Sequence, residues 1–149
     1  IYILVNTGKY GGGGMYNLYS ISAADNMESR AVVIHEFGHA FGGLADEYYN
    51  SAVAYNDFFN LETEPWNPNL TTLKNFDAKW KLMLASETPV PTPQEQAYVD
   101  ILGVYEGGGY VAKDVFRPMI DCTMHSNNAA FSPVWEDALI QIFKRHAAH

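Results

Sequence analysis

Residues 35–49 read HEFGHAFGGLADEYY. His35 and His39 stand four apart, Glu36 follows the first, and Gly42-Gly43 precede an acidic pair, Asp46-Glu47. On an α-helix each residue advances about 100°, so positions four apart lie only about 40° from one another on one face. Two imidazoles at that spacing can converge on one cation at roughly 2.0–2.1 Å. Glu36 falls one position round the helix, beside such an ion and not on it. The plainer alternative is an ordinary helical turn that happens to carry histidines.

The flanks favour the metal. AADN (23–26) sets up a helix start, with Asp25 or Asn26 able to cap and Glu28 in the first turn. The helix is predicted from about Met27 to about Phe41, ended by the Gly42-Gly43 pair. Ala31, Ile34, His35, Gly38 and His39 share one side, and Val32 and Val33 broaden the apolar surface. Such a helix is central and buried on most faces. It stops where a chain must turn to bring a third ligand back. H-E-x-x-H on a helix is the metallopeptidase pattern, with the glutamate as general base.

The 149-residue chain is 48% hydrophobic and 14% aromatic, the composition of a folded domain. A net charge of −8 argues against a nucleic-acid binder, which needs a basic face for phosphates. No stretch approaches the roughly 20 apolar residues of a membrane span. The one cysteine, Cys122, excludes a disulfide framework or a multi-cysteine zinc site within the chain. It reads as a small buried residue. The chain opens on Ile1 in a β-rich run, IYILVNT, which leads us to expect a processed or partial form of a longer protein.

IYILVNT is predicted to be a strand and Met15 to Ser22 a second strand, with KYGGGGMYN between them, whose four glycines allow sharp turns and close backbone approach. Residues 50–75 read as a long irregular segment, 76–85 as a short helix or strand, and 87–96 as a proline-rich loop. YVDILGVYEGGGYVAKDVFRP mixes strand-like runs with glycine turns. A final helix begins at Ser132-Pro133, a cap followed by a proline at the first helical position.

HEFGHAFGGLADEYY resembles the active-site segment of the immunoglobulin A peptidase family, a branch of the metzincin zinc peptidases. Metzincins follow H-E-x-x-H with x-x-G-x-x-H, and here Ala45 occupies the position of that last histidine. With Gly43 as the turning glycine, Asp46 lies three residues on, the usual glycine-to-ligand spacing, in a loop one residue longer. Asp46 is therefore the expected third ligand. Glu47 is the alternative, or else an acceptor for a ligand histidine's N–H. CTMHS (122–126) resembles the family's methionine turn, with Met124 packed beneath the metal. YGGGG with MYN, YEGGGYVAKDVFRP and FSPVW also resemble this family.

The resemblance implies an α+β metzincin-like catalytic domain over residues 1–149, a mixed sheet over a central active-site helix with a C-terminal helix. The family's first strands and covering helix would be missing. It implies a zinc (Zn2+) endopeptidase with His35, His39 and Asp46 as ligands and Glu36 as general base and then acid. An edge strand, Met15 to Ser22, would bind an extended peptide antiparallel along the cleft. A secreted or cell-surface bacterial protein acting on protein or peptide is implied too, although the family name does not fix the substrate. Tyr110 can stabilise an oxyanion or line the cleft, or is a packed aromatic. His125 can face the cleft or be a turn histidine. His146 and His149 read as solvated, and Asp57, Glu62 and Glu64 fit no calcium-loop spacing. The rival reading is a catalytically inactive, zinc-containing module that binds protein or glycan.

Overall fold

The computed structural model describes residues 1–49, 59–127 and 129–148; Asp57 and His149 lie outside these. The architecture is α+β. The apolar opening run forms β1 (Tyr2–Val5), followed by β2 (Gly12–Met15) and β3 (Tyr19–Ala23). Their order is β1-β3-β2, with β1 parallel and β2 antiparallel to β3, so the sheet is mixed.

Two expectations are corrected here. The strand expected from Met15 starts earlier, so that Gly12–Gly14 belong to it. The expected edge strand, Met15 to Ser22, is divided by a turn at Asn17 (φ 62°), and its second half is the central strand β3. The edge is β2. The physical reason is close approach to the helix. A Cβ on Gly12 would come within 2.7 Å of Val32 Cγ1, and one on Gly14 within 2.6 Å of His39 Cβ. Only a backbone without side chains fits there.

That helix is α1 (Ser29–Gly42). Neither Asp25 nor Asn26 caps it; Glu28 occupies the cap position and its own N–H donates to Asn26 Oδ1 at 2.9 Å. Gly43 ends it in the left-handed conformation (φ 65°), its N–H donating to the His39 carbonyl while that of Leu44 donates to Gly38. This is the glycine stop that the sequence predicts. α1 is less buried than expected, since Ile34 remains exposed. β3 is laid on it by Ser20, whose hydroxyl donates to the Glu36 carbonyl at 3.1 Å.

Three single turns of 3₁₀ helix follow, Phe76–Ala78, Lys81–Met83 and Gln96–Tyr98. β4 (Tyr105–Gly108) and β5 (Val111–Arg117) form an antiparallel hairpin. α2 (Pro133–Ala147) starts as predicted, with Ser132 Oγ accepting from the Trp135 N–H at 3.1 Å. The buried core beneath the site joins Leu44, Cys122, Met124 and Trp135. No helix among the described residues is long and apolar enough to cross a membrane.

Candidate metal centre

α1 presents His35 and His39 on one face, and backbone carbonyls orient both rings. His35 Nδ1 donates to Thr123 O at 2.8 Å, and His39 Nδ1 donates to Leu44 O at 2.7 Å. A carbonyl can only accept, so each Nδ1 carries its proton. In the neutral imidazole each Nε2 then offers a lone pair. The two Nε2 atoms lie 3.1 Å apart.

Asp46 reaches them because the segment after the helix is tied down residue by residue. Asn69 pairs with both backbone groups of Ala45, accepting from its N–H and donating to its carbonyl, each at 2.8 Å. The Asn67 amide donates to Gly43 O, Glu47 N–H to Met124 O, and Gly109 N–H to Asp46 O. Asp46 Oδ1 thereby sits 2.9 Å from His35 Nε2 and 3.2 Å from His39 Nε2. Glu47 points elsewhere. It is fully buried and accepts from Asn69 Nδ2 and Cys122 Sγ, so in these contacts it neither faces the histidines nor accepts their N–H protons. Burial pushes the Glu47 carboxyl up to about 7, against those hydrogen bonds.

With both histidines neutral, three lone pairs point at one another in a buried site. That arrangement needs a cation or extra protons. Burial alone would raise the Asp46 carboxyl, yet the bonds from His35, His39 and Tyr110 hold it well below the usual carboxylate range. Burial likewise opposes a charged His39, but the Asp46 carboxylate raises it above its ordinary value. Zinc fits this donor set. Bonds of about 2.0–2.1 Å in a tetrahedron put donors roughly 3.3–3.4 Å apart, so these need to open by only a few tenths of an ångström. Among the described residues no other group of three potential metal-binding side chains converges.

Glu36 is buried beside the cluster, against the glycine strand, where a Cβ on Gly12 would meet its Oε1 at 2.6 Å. Burial raises its carboxyl above the ordinary value, and the neighbouring histidines only partly offset that. It lines a cleft of about 690 Å³ that runs past His35, His39 and Asp46 to Trp66 and Tyr110. A second cavity of about 480 Å³ opens on its other side, and His125 lines that one.

Met124 is fully buried under α1, its Sδ within 3.0 Å of where a Cβ on Gly38 would lie. Its neighbour Thr123 orients His35, so the turn supports the cluster by packing and by a hydrogen bond. His125 bonds Asp121 at 3.1 Å, a side-chain partner and not backbone. Tyr110 lines the cleft with its hydroxyl on Asp46 Oδ2. Glu62 pairs with Lys74, and Glu64 lies near Lys79 and accepts from the Asn75 N–H.

Sequence reasoning missed Asn69, Asn67, Thr123 and the strand pairing of the glycines of β2, while the close backbone approach those glycines allow is found against α1. A side-chain amide that braces a loop leaves no periodic signal. The run of glycines was visible, but its role depends on what packs against it.

No match is found among curated proteins. The model of the family described as IgA Peptidase M64 matches residues 1–101, which includes α1 and Asp46 but neither Tyr110 nor Met124. That match spans more than half of the 149 residues, and the chain belongs to this peptidase family.

Proposed function

We propose that the chain is a zinc-dependent endopeptidase domain with a metzincin-like site. The observation that carries this reading is the convergence of His35 Nε2, His39 Nε2 and Asp46 Oδ1 with both Nδ1 protons already committed to carbonyls. His35, His39 and Asp46 would hold the ion, and zinc bound there supplies a Lewis acid that acidifies water and polarises a scissile carbonyl.

The chain's own residues do the rest. Glu36 takes a proton from the attacking water and passes it to the leaving amine nitrogen. Its burial, which favours the protonated form, suits the second half of that cycle. β2 pairs on one side with β3, and its glycines line the cleft. An extended peptide added along β2 would gain backbone hydrogen bonds and cross the metal centre. Thr123 and Leu44 hold the two rings against rotation. Whether immunoglobulin is the substrate is not implied by the site; a protein or peptide substrate in a secreted or cell-surface setting is the reading we adopt.

The test is metal content by elemental analysis, combined with cleavage of a broad peptide library by the wild type and by Glu36→Gln. One zinc per chain with Glu36-dependent cleavage is the expected result. Full zinc without any cleavage would turn the assignment to a binding module.

A further inference from the structure

We infer that Tyr110 is a positioning residue that makes Asp46 a one-oxygen donor. This rests on the zinc reading above. The two oxygens of the Asp46 carboxylate have different partners: Oδ1 faces both histidine Nε2 atoms, while Oδ2 accepts from the Tyr110 hydroxyl, and the Tyr48 hydroxyl bonds to both Asp46 and Tyr110 beside it. An aspartate on a loop is otherwise free to rotate about its terminal torsion, which is broad and roughly two-fold. Either oxygen, or both, could then meet the ion. A phenol on Oδ2 removes that freedom.

The backbone around Tyr110 is built to put the hydroxyl there. Tyr110 sits at φ 67°, a left-handed conformation that a bulky residue seldom adopts. The hairpin tip before it needs glycine twice. Gly107 (φ 98°) has no room for a Cβ against the Tyr49 ring, and Gly109 (φ 58°) none against Phe59 and Leu70. The tip then bonds directly to the ligand segment. Gly109 N–H donates to Asp46 O at 2.8 Å and Tyr110 N–H to Tyr48 O at 3.0 Å. The Tyr110 ring meets the Tyr48 ring edge-on, with centroids 5.2 Å apart. Two backbone hydrogen bonds, the Tyr110 hydroxyl and its ring contact thus fix the β4–β5 hairpin to residues 46–48. The strained residue is the one whose side chain reaches the carboxylate. This assigns Tyr110 to the metal ligand and not to the substrate.

The experiment compares the 149-residue wild type, Tyr110→Phe and Tyr105→Phe. Tyr105 is the control: its single hydroxyl proton is shared between the Tyr98 and Ile101 carbonyls, away from the cluster, on the same hairpin. Zinc affinity is measured by chelator competition, and the visible spectrum is recorded with cobalt(II) in place of zinc. Loss of an outer partner of a metal ligand typically costs about 10- to 100-fold in affinity. Tyr110→Phe is expected to lose that much and to change the intensity of the cobalt bands, which report coordination number. Tyr105→Phe is expected to change neither. Unchanged affinity and spectrum in Tyr110→Phe overturn the inference, and with a fall in peptide turnover they move Tyr110 to the substrate. Equal losses in both variants also overturn it, since they mark general weakening of the hairpin. A wild type that binds no stoichiometric metal overturns the zinc reading itself, and this inference with it.

Discussion

His35 Nδ1 donates to the carbonyl of Thr123, 88 residues further along the chain, at 2.8 Å. One hydrogen bond therefore sets the tautomer of a proposed ligand on α1 from the turn that holds Met124. It ties the candidate metal centre to the C-terminal third of the chain, so the orientation of a local helix motif depends on distant sequence.

Glu36→Gln keeps size and shape but removes the proton acceptor. Zinc content and melting temperature are expected to match the wild type, while peptide turnover falls by about 10²- to 10⁴-fold. Undiminished cleavage would falsify the general-base role. Lost zinc would show that Glu36 is structural.

His39→Ala and Asp46→Ala are expected to lose stoichiometric zinc. Glu47→Ala is expected to keep it and to lose stability instead. Removing Glu47 leaves the Asn69 amide and the Cys122 thiol without their buried acceptor. An unsatisfied buried group costs about 1–3 kcal/mol. Elemental analysis and denaturant melts on the three variants give the answer; zinc loss in Glu47→Ala greater than in Asp46→Ala would reverse the ligand assignment.

Met124→Leu keeps volume beneath α1 without the thioether. We expect full zinc retention and a stability loss below about 1.5 kcal/mol, the range for near volume-conserving core swaps. Coordination by the sulfur would instead show as lost metal.

Gly14→Ala places a Cβ on the Glu36 carbonyl and 2.6 Å from His39 Cβ. Overpacking of this kind costs roughly 1–3 kcal/mol. Because the clash is with backbone, β2 must move off α1, and cleavage is expected to fall together with melting temperature. Wild-type stability in this variant would mean that β2 does not rest on the helix.

The proposed metal centre also implies a pH dependence. In the metal-free chain His39 has a raised pKa, so its contribution to stability is full below the unfolded value and is lost as pH rises through the folded one. Asp46 has a lowered pKa, so its contribution is present above the unfolded value and is lost only as pH falls through the folded one. The metal-free chain gains from both in mildly acidic solution. Zinc competes with the histidine protons and gains affinity as pH rises. The difference in melting temperature between loaded and metal-free protein is therefore expected to widen from about pH 5.5 to about pH 8, either side of the ordinary histidine value. A constant difference across that range would argue against histidine ligation.

The helical residues of the centre were legible in the sequence because their geometry is local. A 3.6-residue period places His35, Glu36 and His39 whatever surrounds them, and Gly43 stops the helix through its own left-handed backbone. The opening strand and the Ser132-Pro133 start of α2 are likewise short-range features. Between the adjacent Asp46 and Glu47, spacing from Gly43 favoured Asp46 but could not show where either carboxylate points. Their directions are set by the Met124 carbonyl, the Asn69 amide and the hairpin tip, which turn Glu47 into the core and leave Asp46 facing the histidines. The glycines of β2 read as a site of sharp turns and close backbone approach, but an absent side chain carries no strand pattern; only the structure shows them paired as a strand with α1 lying against them. Tyr110 shows the same division, since its glycine neighbours announce a tight tip and only the docked hairpin delivers its hydroxyl to a carboxylate 64 residues earlier. Local propensity acts over a few residues, whereas a ligand's orientation depends on contacts closed by folding.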